Sequence, residues 1–364
     1  MKNNEELEFL AEYLNTAAPT GNEVAGQKVW MNYLKPYITK FITDSYGTAV
    51  GIINGRGIQG HFPYKVVIEA HSDEISWYVN HITSNGLLYV IRNGGSDQQI
   101  APSKRVKIHT NNGLVDGLFG WPAIHTRKGD EVFPKLDNIT IDVGCATAEE
   151  VEELGIHVGS IVTYPDEFMI LNGNKYVGRA LDNKMGGYMI AQVAKRLYDN
   201  KIELPFTLYV VNSVQEEIGL RGAQMIANTI NPDLAIITDV CHDTSTPMIN
   251  ALKEGDTQIG KGPVVGYAPA IHNILRELII DTAIDKEIPF QRMALSTSTG
   301  TDTDAFAYSN CGVPSALISL PLRYMHTTVE MTHKDDVENT INLIYETLLK
   351  IDVKKSFKYL ENGN

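Results

Sequence analysis

Apolar and polar positions follow two different rhythms along this chain. Residues 5–14 (EELEFLAEYL) space their apolar side chains three and four apart, which predicts an amphipathic helix. The turn residues of PTGNE (Pro19 to Glu23) interrupt it. A second helix is predicted to about Leu34, because Pro36 disfavours helical backbone at Lys35. Two apolar runs then read as strands, Ala49–Ile53 and Tyr64–Ile68, and the second gives way to the polar sequence EAHSDE. From Ile75 to about Tyr164 the pieces are shorter and β-rich: ISWYVNHI, LLYVIRN, RVKIHT, LVDGLFGW and ITIDVG, punctuated by SNG, NGG and NNG, with one short helix, AEEVEEL. Short strands at that spacing predict a small sandwich or barrel.

After Asn172 the longer rhythm returns. MGGYMIAQVAKRLYDN, GAQMIANTI, LRELIIDTAIDK and VENTINLIYETLLKIDVKK read as helices, and FTLYVVNSV, LAIITDV and SALISLP as strands. Strands alternating with helices predict an α/β layered domain. The chain therefore reads as an α/β catalytic domain, residues 1–73 plus about 166–364, interrupted by a β module at about 74–165. There is no internal repeat and no low-complexity segment.

Composition adds a few exclusions. A 43% hydrophobic content supplies a large core, and the net charge of −13 argues against nucleic acid, whose phosphates need clustered Lys and Arg. No apolar run approaches the ~18 residues of a membrane helix. Cys145, Cys241 and Cys311 are odd in number and far apart, which reads as free thiols in a reducing compartment. The N-terminal stretch is acidic and amphipathic rather than basic and then apolar, so the expected location is cytoplasmic.

Candidate chemistry gathers where apolar runs end. His71 and Asp73 stand two apart, so Asp73 can hold one ring nitrogen of His71 and leave the other for a metal. GRALDNKMGG places Asp182 just before a helix, where it could bridge two ions, or where Asp182 or Asn183 could simply cap the helix. VNSVQEEIGLRGA ends an apolar strand on Glu216 and Glu217, and two adjacent carboxylates there are costly unless paired or bound to metal. One of them can coordinate while the other faces a bound water. Asp239 ends LAIITDV, and His326 follows SALISLP, with Glu330 and His333 nearby read as solvated. In α/β sheets sites are built at such strand ends. Two imidazoles with three carboxylates suit zinc, cobalt or manganese.

Taken together, PTGNE, AHSDEIS, GRALDNKMGG, VQEEIGLRGA, the TDV strand end, GTDTDAFA and PLRYMHTTVEM resemble the tetrahedral (TET) or glutamyl aminopeptidase family of co-catalytic di-zinc peptidases, also labelled cellulase-M-like. The resemblance spans essentially the whole chain. It implies a zinc-peptidase-like α/β/α catalytic domain hydrolysing N-terminal residues from short peptides. Asp182 would bridge two ions, His71 and Asp239 would complete one site, and Glu217 and His326 the other. Glu216 would be the general base and Asp73 would orient His71. The resemblance also implies a cis Asp182–Asn183 peptide, a dimerising β insert and assembly to a dodecamer. The chain departs from the family's usual residues at Ser72, Ser76 and Lys184, and at Thr303 and Asp304, which bear on specificity. Two rival classes remain. A metal-independent polysaccharide hydrolase would use the Glu216–Glu217 pair but leaves the histidines unexplained. A non-catalytic scaffold would be expected to have lost a ligand or the base, and none is lost.

Overall fold

A computed structural model describes residues 2–57, 63–127 and 133–361. The chain opens with helices α1 (Lys2–Asn15) and α2 (Val24–Leu34), then strands β1 (Lys40–Thr43), β2 (Ala49–Ile53) and β3 (Lys65–His71). Six strands follow: β4 (Ser76–Ile82), β5 (Leu87–Asn93), β6 (Arg105–Thr110), β7 (Gly113–Phe119), β8 (Ile141–Asp142) and β9 (Ile161–Thr163), with α3 (Ala148–Glu153) between the last two. The rest runs β10 (Met169–Leu171), β11 (Lys175–Gly178), α4 (Leu181–Asp199), β12 (Thr207–Ser213), α5 (Arg221–Ile230), β13 (Leu234–His242), α6 (Ala251–Glu254) and β14 (Val264–Tyr267). It closes with α7 (Asn273–Asp285), β15 (Gln291–Ala294), α8 (Asp302–Ala307), β16 (Ser315–Leu322), β17 (Glu330–His333) and α9 (Lys334–Lys350).

The main sheet has eight strands in the order β1-β2-β12-β3-β13-β16-β14-β15. Its central four, β12, β3, β13 and β16, are mutually parallel. Parallel strands are covered on both faces, which is why they read as continuous apolar runs rather than as alternation. Neighbouring residues of a strand point to opposite faces. Ala70 and Asn212 turn toward α4, where they lie against Gly186 and Gly187. Ser213 turns the other way, toward Asp302 of α8. α4 is buried along nearly its whole length and packs beside α1, α2 and α9, forming one outer layer.

The six strands β4 to β9 close into a barrel in the order β4-β5-β8-β7-β6-β9. The barrel has its own apolar cluster, built on Trp77, Val90, Ile108, Phe119 and Ile141, separate from the main core. The sequence left sandwich and barrel open; the structure is a closed barrel, with no open strand edge in the ring. What the barrel does expose are apolar side chains, Leu114, Leu118, Ile124, Phe133 and Val158 among them. Trp77 and Phe119 are core residues. A further sheet, β10-β11-β17, joins the start of α4 to the segment after β16.

The start of α4 is tied to the N-terminal segment by a buried charged cluster. Glu74 Oε1 accepts from Lys184 Nζ (3.0 Å) and from the Ala18 amide (2.7 Å), while its Oε2 accepts from Arg179. Burial alone would raise the Glu74 carboxyl, but Arg179 and Lys184 outweigh it and bring it down to about 2. Glu74→Ala is expected to cost ~3–5 kcal/mol in urea unfolding, because it strands two buried cations. The contribution is full at neutral pH. It declines once pH drops below the unfolded value of ~4.3 and is gone once pH falls through the folded value.

Candidate metal centre and substrate cleft

Four neighbouring parallel strands deliver most of the site. β3 ends on His71, which lies in register with Ser213, the last residue of β12. Beyond Ser213 the chain turns at Gln215 (φ 57°) into Glu216 and Glu217. Asp239 sits within β13, opposite Ser319 of β16, and not at the strand's end as the sequence suggested. After β16, Tyr324 and His326 take positive φ (60° and 61°) in the turn that brings the imidazole to Asp182 and Glu217. Asp182 comes from elsewhere, the irregular first turn of α4.

These side chains converge. His71 Nε2 lies 3.3 Å from Asp182 Oδ1 and 3.7 Å from Asp239 Oδ1. His326 Nε2 lies 3.2 Å from Asp182 Oδ2 and 3.5 Å from Glu217 Oε2. The two oxygens of Asp182 thus face two different imidazoles. His71, Asp182 and Asp239 form one group able to hold a metal ion, and Asp182, Glu217 and His326 a second. Glu216 Oε2 stands 3.9 Å from His71 Nε2, outside both groups.

The surroundings fix this arrangement. The Asp182–Asn183 peptide is cis. Asn183, not Asp182, does the capping: its Oδ1 accepts from the Gly186 amide (3.1 Å) and its Nδ2 donates to the Thr238 carbonyl (2.9 Å). Asp182 is thereby free to face the imidazoles. Asp73 Oδ1 is 3.4 Å from His71 Nδ1, and the same carboxylate accepts from the amides of Glu216 (2.9 Å) and Glu217 (3.2 Å). One acid therefore fixes both an imidazole and the two-glutamate turn. Glu330 is a correction to the sequence reading. It is buried, and its two oxygens accept from the amides of Asp182 (3.0 Å) and His326 (2.8 Å). His333 is half-buried at the start of α9, where its Nδ1 accepts from the Asp335 amide.

A second acidic pair lies below His71 and was not singled out from the sequence. Ser213 Oγ is 2.6 Å from Glu69 Oε1 and 2.7 Å from Asp302 Oδ2. One hydroxyl hydrogen cannot serve both, and burial raises both carboxyls, Asp302 to about 6. A proton shared within the pair follows. The signal available was GTDTDAFA together with a glutamate two residues before His71.

Electrostatics test whether cations fit. Burial, then the neighbouring acids Asp239, Asp302 and Glu217, push the Glu216 carboxyl up to about 10, against the opposing effect of His71. Burial pushes Glu217 up to about 7. Burial lowers the His326 imidazole, but Asp182 and Glu217 more than reverse this and bring it to about 11. Among the described residues, the ion pairs of Asp182, Glu217 and Asp239 are with imidazoles alone, while Arg179 and Lys184 are taken up by Glu74, so this group of buried carboxylates calls for further positive charge. Its donors are imidazole nitrogen and carboxylate oxygen, the set that suits zinc, cobalt or manganese. The residues fit the ions.

Beside this cluster opens a cleft of about 1180 Å³. Apolar side chains such as Leu220, Met248, Ile249, Met293 and Leu295 line much of it, and Asp304 lies on its wall. Asp304 is held by the Thr299 amide (3.0 Å), whereas Thr303 is fully buried and away from the lining. Cys145, Cys241 and Cys311 are free thiols. Among the described residues, no helix is long and apolar enough to cross a membrane.

Fold and site together define an α/β protein with a candidate dinuclear metal centre beside a substrate-sized cleft. The chain belongs to the M42 glutamyl aminopeptidase family, whose sequence profile matches residues 52–343. It is therefore a peptidase. It is 31% identical over 342 residues to the lysyl aminopeptidase of Pyrococcus furiosus, covering 92% of this chain and 94% of that protein. Its fold is similar to the crystal structure of the TET aminopeptidase from a marine sediment Thaumarchaeota archaeon (TM-score 0.91, 29% identity, 97% and 98% of the two chains). It is also similar to the Pyrococcus horikoshii TET1 peptidase (TM-score 0.82, 25% identity, 95% and 100%), which can assemble into a tetrahedron or a large octahedral shell.

Proposed function

We propose that this protein is a metal-dependent aminopeptidase that removes N-terminal residues from short peptides. Asp182 would bridge two divalent ions, with His71 and Asp239 completing one site and Glu217 and His326 the other. The observation that carries this reading is the division of one carboxylate, Asp182 Oδ1 and Oδ2, between two imidazoles. Bound there, such ions supply Lewis acidity and lower the pKa of water toward neutrality.

The chain's own residues do the rest. Glu216 takes the proton of the attacking water at its carboxylate and passes it to the nitrogen of the scissile amide, which leaves as the new N-terminal amine of the shortened peptide. Burial and surrounding acids lift its affinity for a proton, while neighbouring cations would draw it back toward the working range. Asp73 keeps the Nδ1 edge of His71 fixed, which leaves Nε2 for coordination. The acidic cluster also suits the positive α-amine of a free N-terminus, and that preference makes the enzyme an exopeptidase. A two-carboxylate glycosidase would use Glu216 and Glu217 but leave His71, His326 and Asp239 without a role.

A panel of aminoacyl chromogenic amides, assayed with zinc, cobalt and manganese, tests this directly. Hydrolysis should appear only with metal, and N-acetylated counterparts should be spared. Hydrolysis that persists in chelator, or equal cleavage of blocked substrates, would contradict the reading.

The exposed apolar side chains of the barrel support self-association through this module into a closed particle such as a dodecamer. A closed particle admits only short or unfolded peptides. Light scattering should give a mass several-fold above the 40.3 kDa chain. A concentration-independent monomer would remove the assembly and leave the chemistry intact.

A further inference from the structure

The turn between β5 and β6 belongs to the barrel, yet it packs against the candidate metal ligands. Its ends are anchored. Asn93 Nδ2 donates to the Thr20 carbonyl and to Ser76 Oγ (both 2.8 Å), and Ser96 Oγ donates to the Ser76 carbonyl (2.6 Å). Between them lie Gly94 and Gly95. Gly94 has φ 79°, a backbone conformation that favours glycine, and a Cβ there would lie 3.2 Å from Glu217 Cβ. Gly95 lies outside the left-handed region, so its backbone gives no reason for glycine. The reason is the neighbour: a Cβ on Gly95 would stand 2.4 Å from Nδ1 and 2.5 Å from Cε1 of His326. Carbon needs ~3.5 Å for ordinary contact, so the ring or the turn would have to move.

The imidazole is thus confined on two sides. Asp182 and Glu217 face its Nε2, and the barrel's glycine closes off the Nδ1–Cε1 edge. A further tie from the barrel, Lys104 Nζ to Thr328 Oγ1 (2.6 Å), holds the same segment two residues on. We propose that Gly95 is a positioning residue for His326, so that the inserted barrel forms one wall of the metal centre in addition to any part in assembly. The proposal rests on reading His326 as a metal ligand. It also changes the view of the insert. Although it is grafted between His71 and Asp182, the module reaches back and sets the pose of a ligand far along the chain.

Gly95→Ala tests this, with Gly120→Ala as control, since a Cβ on Gly120 meets nothing within 4 Å. Calorimetric zinc titration of metal-free Gly95→Ala should show one site unchanged and the other weakened ~10–100-fold, the usual cost of losing a residue that orients a ligand. Gly120→Ala should titrate as wild type. A second arm needs no metal. Thermal unfolding of the metal-free proteins should show a lower Tm for Gly95→Ala when His326 is present, and no such loss in a His326→Ala background. If Gly95→Ala alone fails to fold, recovery of folding in the double variant supports the same contact. Wild-type zinc affinity in Gly95→Ala, with a site lost in His326→Ala, would overturn the positioning role alone. Wild-type zinc affinity in His326→Ala would overturn the ligand reading and the positioning role with it. An equal Tm loss with and without the ring would show that the glycine serves some other contact.

Discussion

Asp182→Ala is expected to strip the protein of both metal ions. Its two oxygens face His71 and His326 separately, at 3.3 and 3.2 Å, and no other carboxylate belongs to both groups. Losing a residue that merely supports a ligand costs ~10–100-fold in metal affinity, and losing a shared ligand should cost more than that at each site. His326→Ala should remove one ion and spare the other, because His71 and Asp239 remain with Asp182. Elemental analysis of purified variants distinguishes these outcomes. Two ions per chain in Asp182→Ala would end the bridging assignment. The backbone amide of Asp182 is held by Glu330 whatever the side chain, so the variant should keep its fold, and circular dichroism can verify that.

The adjacent glutamates should separate cleanly. Glu216→Gln is expected to keep the ions and lower kcat by ~10²–10⁴-fold, the usual contribution of a general base. Glu217→Gln is expected to weaken zinc binding, with activity recovering in excess metal. The geometry supports this division, since Glu217 stands 3.5 Å from His326 Nε2 within a ligand group while Glu216 belongs to neither. Kinetics paired with metal analysis reads both properties in each variant. Exchanged phenotypes would mean that the two roles are reversed.

Much of this site was legible in the sequence because its physics is local. A charge that closes an apolar strand is costly unless something uses it, so His71, Glu216 and Glu217 stood out against the runs before them. The long helices and the buried parallel strands were legible for a similar reason, their periodicity. Edge strands were not: KFIT in β1 and QRMA in β15 are too short and too polar to signal a strand. Glu330 was misread because its burial depends on β17 pairing with β11, a contact between distant segments. Asp239 was placed at a strand end because its run turns polar there, whereas pairing with β16 carries β13 on to His242. Barrel closure and the packing of Gly95 on His326 are likewise long-range facts. A glycine with ordinary φ carries no sequence signal of the ring beside it.

The measurement that bears most directly on the central claim is zinc titration of the chelator-treated protein, followed at once by calorimetry and by hydrolysis of an aminoacyl chromogenic amide. The expected result is two equivalents bound per chain, with peptidase activity rising as the pair of sites fills and absent without metal. Full activity with no ion bound, or saturation at a single equivalent with the Asp182→Ala variant binding equally well, would contradict it.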